Sequence, residues 1–125
     1  RDISGAANIV LHEYGGRVPD TMEALLKLPG VGRKSANLIL GDVYNTPGVV
    51  VADTHCIRIA GRIGFVASKD PLKVETALRR VLPPEESNAF CHRCVLHGRA
   101  VCTARKAHCE ACVLLGLCRR VGVPH

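Results

Sequence analysis

Aromatic side chains are scarce in this chain of 125 residues, which contains no Trp, two Tyr and two Phe. Proteins that bind single-stranded nucleic acid stack the bases on aromatic side chains, so the composition argues against that class. The sequence also lacks an apolar run of about 18 residues, the length that a membrane-spanning helix needs. With 47 % hydrophobic residues, the sequence predicts a soluble protein with a real core and no membrane partner.

Acidic residues are also few. Seventeen Lys and Arg stand against eleven Asp and Glu, a net charge of +6, and residues 91–125 carry six basic side chains with Glu110 as their one acid. Arg99, Arg105 and Lys106 belong to this stretch. A positive field of this kind attracts a polyanion such as a phosphate backbone. The alternative is a solvated basic face without a ligand.

No signal-peptide pattern begins the sequence, and its seven cysteines are an odd number. Both features argue against a secreted domain that is fully disulfide-bonded. We therefore expect a reducing compartment. In a bacterium this is the cytoplasm or nucleoid, and in a eukaryote the nucleus or mitochondrion.

Four cysteines near the carboxyl end form the pattern C-x6-C-x2-C-x5-C: Cys102, Cys109, Cys112 and Cys118. Thiolates this close in sequence hold a metal centre or form disulfides, and the reducing compartment favours the metal. The pattern therefore predicts a metal centre, for which an iron–sulfur cluster and zinc are the two candidates.

Zinc is the alternative, because Cys91-x2-Cys94 and Cys109-x2-Cys112 make two pairs separated by fourteen residues, which suits a four-cysteine zinc site. Cys91 and Cys94, however, lie in a predicted amphipathic helix, where cysteine acts as a small apolar residue. We expect both in the core, and Cys56 as well.

Apolar residues recur mostly at a spacing of three to four, which predicts an all-α chain. The pattern and its capping residues predict six helices: 3–14, 20–28 with Asp20 as N-cap, 33–40, one from Asp53 or Thr54 to 63, 71–81 and 86–100. The one β-like run, Val49–Val51, is expected to be a buried connector.

The segment Leu28–Lys34 reads LPGVGRK and lies between the second and third helices. Glycine adopts positive φ and has no side chain, so the backbone can turn sharply and bring its N–H groups to a phosphate. We predict a helix-hairpin-helix clamp of Gly30, Val31, Gly32 and Arg33 that binds phosphates without sequence specificity. A bare G-x-G turn could also be a simple corner between two helices.

Three motifs in one order, LPGVGRKSAN, VADTH and C-x6-C-x2-C-x5-C, resemble those of the endonuclease III family over about residues 1–120. The resemblance implies a partial helix-hairpin-helix DNA glycosylase fold. Residues 1–85 would carry the hairpin and the catalytic residues, and residues 86–125 the final helix and a [4Fe-4S] loop. Family members carry a further stretch before the region that matches Arg1, so we expect a carboxyl-terminal portion. The chain departs from the family in having Val-Ala before Asp53.

The resemblance implies a nucleophilic amine at Lys34, an essential carboxylate at Asp53 and cluster ligation by the four cysteines. It implies a monomer that acts on double-stranded DNA, removes oxidised pyrimidines and cleaves abasic sites through a lysine Schiff base. Adenine-removing relatives usually lack an amine at the position of Lys34. By spacing alone, Asp53 could be a helix N-cap only and Lys34 a phosphate-binding lysine only. A non-catalytic DNA-binding module and an electron carrier are the competing functions.

Overall fold

The computed structural model describes residues 2–123, and this part of the chain is helical. Its α-helices are α1 (Asp2–Glu13), α2 (Met22–Leu26), α3 (Arg33–Asp42), α4 (Thr54–Ile63), α5 (Pro71–Val81) and α6 (Ser87–Ala100). Pro84–Glu86 and Cys109–Ala111 form single 3₁₀ turns. The β-structure described in residues 2–123 is one isolated bridge between Cys102 and Ala107. The all-α prediction is confirmed.

The start of α2 differs from the prediction. Thr21, not Asp20, is the N-cap, and its Oγ1 accepts a hydrogen bond from the amide of Ala24 at 3.2 Å. Glu23 does not close a capping box with Asp20 but pairs with Lys27, with 3.8 Å between Oε1 and Nζ. The side chain of an N-cap residue accepts a hydrogen bond from the amide two or three residues later in the chain. The hydroxyl of Thr21 makes this bond, so it determines where α2 begins.

The predicted cap of α4 is confirmed at Asp53, and Asp70, which the sequence pattern did not identify, caps α5. Each acts through a carboxylate oxygen that accepts a hydrogen bond from a backbone amide. Gly64 ends α4 with φ +102°, a left-handed conformation that favours glycine. The run Val49–Val51 is a buried connector outside any strand.

Two hydrophobic clusters meet at this connector. The hairpin core contains Leu25, Leu28, Ala36, Leu40 and Val49. The second cluster, which we call the α4–α6 core, takes residues from the connector and from α4, α5 and α6: Val50, Val51, Cys56, Ile59, Ala60, Val66, Val74, Leu78, Cys91 and Cys94. The boundary between the two hydrophobic clusters thus lies near residue 50. The predicted regions, residues 1–85 and 86–125, were defined by their expected sites and divide at a different position.

Helix α1 is the least buried element. No residue of α1 is fully buried, and Ile3 and Leu11 are 86 % and 61 % exposed. Ala6, Ile9 and Val10 pack partly against the hairpin core. Within residues 2–123, no helix has the length and apolar content to cross a membrane.

A polar contact joins the end of α3 to α6. Asp42 Oδ1 accepts a hydrogen bond from Asn88 Nδ2 at 3.1 Å and lies 2.6 Å from His92 Nε2. The contact with His92, followed by the one with Asn88, lowers the pKa of Asp42 below its ordinary value. The two cores are therefore linked by side chains as well as by the connector.

Candidate nucleic-acid interface and cysteine site

The hairpin between α2 and α3 turns at Gly30, which has φ +78°. A Cβ at this position would also lie 2.9 Å from Cβ of Asp2, so both the conformation and the available space require glycine. Gly32 is the N-cap of α3, with extended backbone and no side-chain cap. The first amides of a helix have no partner within it. The hairpin therefore offers backbone donors at the start of α3.

The two residues after Gly32 are placed differently. Lys34 is exposed, whereas the buried residues of α3 are Ala36, Asn37, Leu40 and Gly41. Arg33 makes a two-point contact with Glu75, with Nε–Oε1 2.8 Å and Nη2–Oε2 2.6 Å. The hydrogen bond to Glu75 raises the pKa of Arg33 above its ordinary value. The predicted DNA contact of Arg33 stays a prediction.

Asp53 is half-buried and begins α4, where Oδ1 accepts the amide of Cys56 at 2.8 Å. The N-cap role proposed from spacing is therefore real. The hydrogen bond from this amide engages one carboxylate oxygen and fixes the Asp53 side chain at the start of the helix. Lys34 and Asp53 thus lie near the amino-terminal ends of the two helices that the buried connector joins.

All four cysteines of the carboxyl-terminal pattern line one small cavity of about 30 Å³. We call it the cysteine cavity. Its remaining walls are largely apolar and come from α4, α6 and the loop: Ile59, Ile63, Val101, Leu114, Leu115 and Val123 among them. The structure thus gathers the four predicted metal ligands, which are spread over 17 residues of sequence from Cys102 to Cys118.

Nitrogen atoms surround the sulfur atoms of this cavity. Backbone amides donate to Cys112 Sγ at 3.4 Å and to Cys118 Sγ at 3.3 Å, and Arg62 Nη1 donates to Cys102 Sγ at 3.2 Å. His97 Nε2 lies 3.4 Å from Cys112 Sγ. N–H groups directed at sulfur stabilise thiolate charge and tune iron–sulfur centres. The donor set fits a thiolate-ligated cluster.

Two arginines on α4 hold the cysteine loop, and the sequence analysis did not single them out. Arg58 donates to the carbonyl of Cys102 at 3.2 Å and 3.1 Å and to that of Gly98 at 3.1 Å. Arg62 donates to the carbonyl of Thr103 at 2.8 Å. Arg58 and Arg62 are four residues apart and so share one face of α4. This spacing could have indicated that they bind the same partner.

Comparison with known proteins follows this geometry. Residues 13–41 match the helix-hairpin-helix motif. Endonuclease III of Synechocystis sp. is 40 % identical over 118 residues, which cover 94 % of this chain and 54 % of the relative. The Escherichia coli K12 enzyme is 39 % identical over 117 residues, or 94 % and 55 %. Over nearly its whole length, this chain is similar to endonuclease III. It spans about half the length of the curated relatives that it matches.

Solved structures agree with this similarity. A trapped covalent intermediate of endonuclease III with DNA superposes with a TM-score of 0.86 at 37 % identity, covering 96 % of this chain and 56 % of that one. A thermostable thymine-DNA glycosylase gives 0.81 at 24 % identity, covering 95 % and 56 %, and shows the shared fold alone. The fold prediction of a partial helix-hairpin-helix DNA glycosylase is confirmed.

The other cysteines lie in the core, as predicted. Cys56, Cys91 and Cys94 are 0 %, 5 % and 3 % exposed and belong to the α4–α6 core. The hydrogen bond of Cys56 to Cys91 favours its thiolate, but the bond to Cys94 and burial outweigh it and raise the pKa of Cys56 to about 12. The bond to Cys56, followed by burial, raises the pKa of Cys91.

These contacts disfavour the zinc alternative. Neither Cys91 nor Cys94 lines the cysteine cavity, and both belong to the α4–α6 core. Across residues 2–123, no group of three or more His, Cys, Asp or Glu is placed to hold a metal ion.

The predicted basic contacts lie at the surface. Arg99 is exposed in the last turn of α6, and Arg105 and Lys106 are exposed in the loop that follows. Thr103 closes this turn, because its Oγ1 donates to the carbonyl of Lys106 at 2.6 Å and accepts the amide of the same residue at 3.0 Å. The turn therefore leaves both basic side chains in solvent.

The geometry of the hairpin predicts different effects of an alanine substitution at Gly30 and at Gly32. Gly30→Ala should lower the free energy of unfolding by about 1–3 kcal/mol, because alanine is strained at positive φ and its Cβ meets Asp2. Gly32→Ala is the matched control, since its φ is −94° and a Cβ there meets nothing within 4 Å; it should cost no more than about 1 kcal/mol, the usual N-cap difference. Urea denaturation followed by circular dichroism measures both, and equal losses would contradict the assignment.

Proposed function

We propose that this chain carries the catalytic and DNA-binding residues of a DNA glycosylase with AP lyase activity. The enzyme would remove oxidised pyrimidines and cleave abasic sites in double-stranded DNA. The observation that carries the proposal is an exposed lysine, Lys34, directly after a glycine hairpin, in a chain 40 % identical to an endonuclease III.

DNA binding would begin at the hairpin. The amides of Gly30, Gly32 and the first residues of α3 can donate to a phosphate, and phosphate contacts fix the register without reading sequence. The Val31 amide already donates to the carbonyl of Leu28 at 3.2 Å and would contribute to the shape of the hairpin. The exposed side chains of Arg99, Arg105 and Lys106 would add charge contacts to the backbone, together with Arg33 where its pairing with Glu75 allows. The net charge of +6 and the family's structures with DNA support this partner.

Chemistry on a base requires the nucleotide to leave the stack. The amine of Lys34 would attack C1′ of the extruded sugar, forming an N–C1′ bond as the bond to the base breaks. Positive charge develops on the sugar in this step, and the carboxylate of Asp53 would stabilise it and accept the proton of the amine. Breakage of the C1′–O4′ bond then opens the sugar, with O4′ taking up a proton, and converts the adduct to a Schiff base. Proton loss from C2′ of this Schiff base expels the 3′ phosphate by β-elimination.

The cofactor we propose is a [4Fe-4S] cluster held by Cys102, Cys109, Cys112 and Cys118. The gathered thiols, the N–H donors and the apolar walls of the cysteine cavity support it. A bound cluster would cross-link the loop and bring one-electron chemistry. Arg62 and His97 would orient the ligating sulfurs through the contacts described above. We further propose that the protein is a monomer. A reducing compartment is supported by the seven cysteines, none of which forms a disulfide in the described structure.

Catalysis can be tested in a hybrid in which this chain replaces the matching part of the Synechocystis relative. Lys34→Gln should abolish borohydride trapping on abasic duplex DNA while binding persists, because only the amine is lost. Asp53→Asn keeps a helix-capping side chain and should slow base removal about a hundredfold, since it removes the charge. Lys27→Gln, an exposed lysine near the hairpin, is the control.

Two outcomes would decide against this mechanism. Trapping by Lys34→Gln at the unaltered rate would exclude Lys34 as the nucleophile. A hybrid that binds duplex DNA but forms no adduct would instead favour a non-catalytic helix-hairpin-helix module, for which the hairpin and basic loop would suffice.

The cofactor has its own test. Anaerobically purified protein should contain about four irons per chain and absorb broadly in the visible range. Cys109→Ala should abolish the iron content, because it removes a ligand. Cys94→Ala is the matched control and should retain iron, since Cys94 lies in the α4–α6 core. Stoichiometric zinc without iron or sulfide would contradict the assignment.

A further inference from the structure

A carboxylate is buried beneath the hairpin. The side chain of Glu75, on α5, is 4 % exposed. It accepts hydrogen bonds from Arg33 at 2.8 Å and 2.6 Å and from Asn37 Nδ2 at 2.8 Å, and Arg79 Nε lies 3.6 Å from its Oε2. We call these four residues the Glu75 network. None of the motifs identified in the sequence includes Glu75.

The network joins two helices at a defined point. Arg33 and Asn37 lie four residues apart and so share one face of α3, across its first two turns. Arg33 is the first residue of α3, and Asn37 is 1 % exposed. A two-point contact between guanidinium and carboxylate restricts orientation as well as distance. Glu75 therefore fixes both the position and the rotation of the start of α3 relative to α5.

Stability alone does not account for this arrangement. Burying a charge is costly, and apolar residues of similar volume often replace a buried ion pair with no loss of stability. What an apolar replacement lacks is the directional contact. The network thus fixes the orientation of Arg33. This residue lies between Gly32 of the hairpin and Lys34, the candidate nucleophile.

We propose that Glu75 is a positioning residue that aims the amine of Lys34 and the hairpin amides by fixing Arg33. Successive residues of a helix point in directions about 100° apart, so the orientation of Arg33 sets that of Lys34. Glu75 acts through Arg33 and Asn37 and does not touch the DNA. This inference rests on the proposed function of Lys34.

The test uses Glu75→Gln in the hybrid, with Glu85→Gln as a control in which an exposed acid is changed in the same way. Two quantities are measured: the single-turnover rate of borohydride trapping at saturating protein, and amide hydrogen exchange in residues 28–37 and 87–100. The rate should fall about tenfold to a hundredfold, the effect of misplacing a reacting group. Exchange should accelerate in residues 28–37 and stay unchanged in 87–100.

Every other pattern overturns the inference. A slower rate without faster local exchange, faster local exchange at an unaltered rate, or equal acceleration in both segments would each assign Glu75 a merely structural role or none. Should Glu75→Gln not fold, Arg33→Lys serves instead, because lysine keeps the charge but cannot make the two-point contact. Absence of an adduct in the unaltered hybrid would refute the proposed function itself, which is a different result.

Discussion

Helix α4 connects the candidate catalytic carboxylate to the cysteine loop. Asp53 caps its first turn, and Arg58 and Arg62, one and two turns further on, donate to the carbonyls of Gly98, Cys102 and Thr103. The capping hydrogen bond holds the Asp53 side chain at the start of the helix that also carries both arginines. The positions of the carboxylate and of the cysteine loop therefore both depend on α4.

The far end of α4 strengthens this connection. The chain after Cys118 returns to it, where Arg119 and Val121 donate their amides to the carbonyls of Ile63 at 3.2 Å and Arg62 at 2.9 Å. Gly64 allows the close approach, because a Cβ there would lie 2.5 Å from Cδ of Arg119. The loop is thus bound to α4 on both sides of the cysteine pattern, and metal binding would add to folding free energy already present there.

Local chemistry explains which features the sequence could predict. The glycine hairpin, the Asp53 cap and the four cysteines each depend on residues that are close in the chain, and the structure places them as expected. The predicted N-cap of α2 was wrong by one position, because Thr21 and Asp20 are both capable of this role. Spacing could not decide between two adjacent capping residues.

The contacts between distant residues were missed. Arg33 and Glu75 are 42 residues apart, and Arg58 and Cys102 are 44 apart. A charged residue on an amphipathic helix is normally taken as exposed, and only the packed structure reveals that Glu75 is buried and paired. The contact of Arg33 with Glu75 on α5 could not be predicted for the same reason, and its contact with DNA stays a prediction.

We propose that this chain carries a lyase site whose nucleophile is Lys34. The most direct measurement locates the borohydride-stabilised adduct on abasic DNA by mass spectrometry of the digested hybrid. Trypsin does not cleave after a modified lysine. We therefore expect the adduct in a peptide in which the bond between Lys34 and Ser35 is intact. An adduct at Lys27, Lys69, Lys73 or Lys106 instead, or at an amine outside this chain, would contradict it.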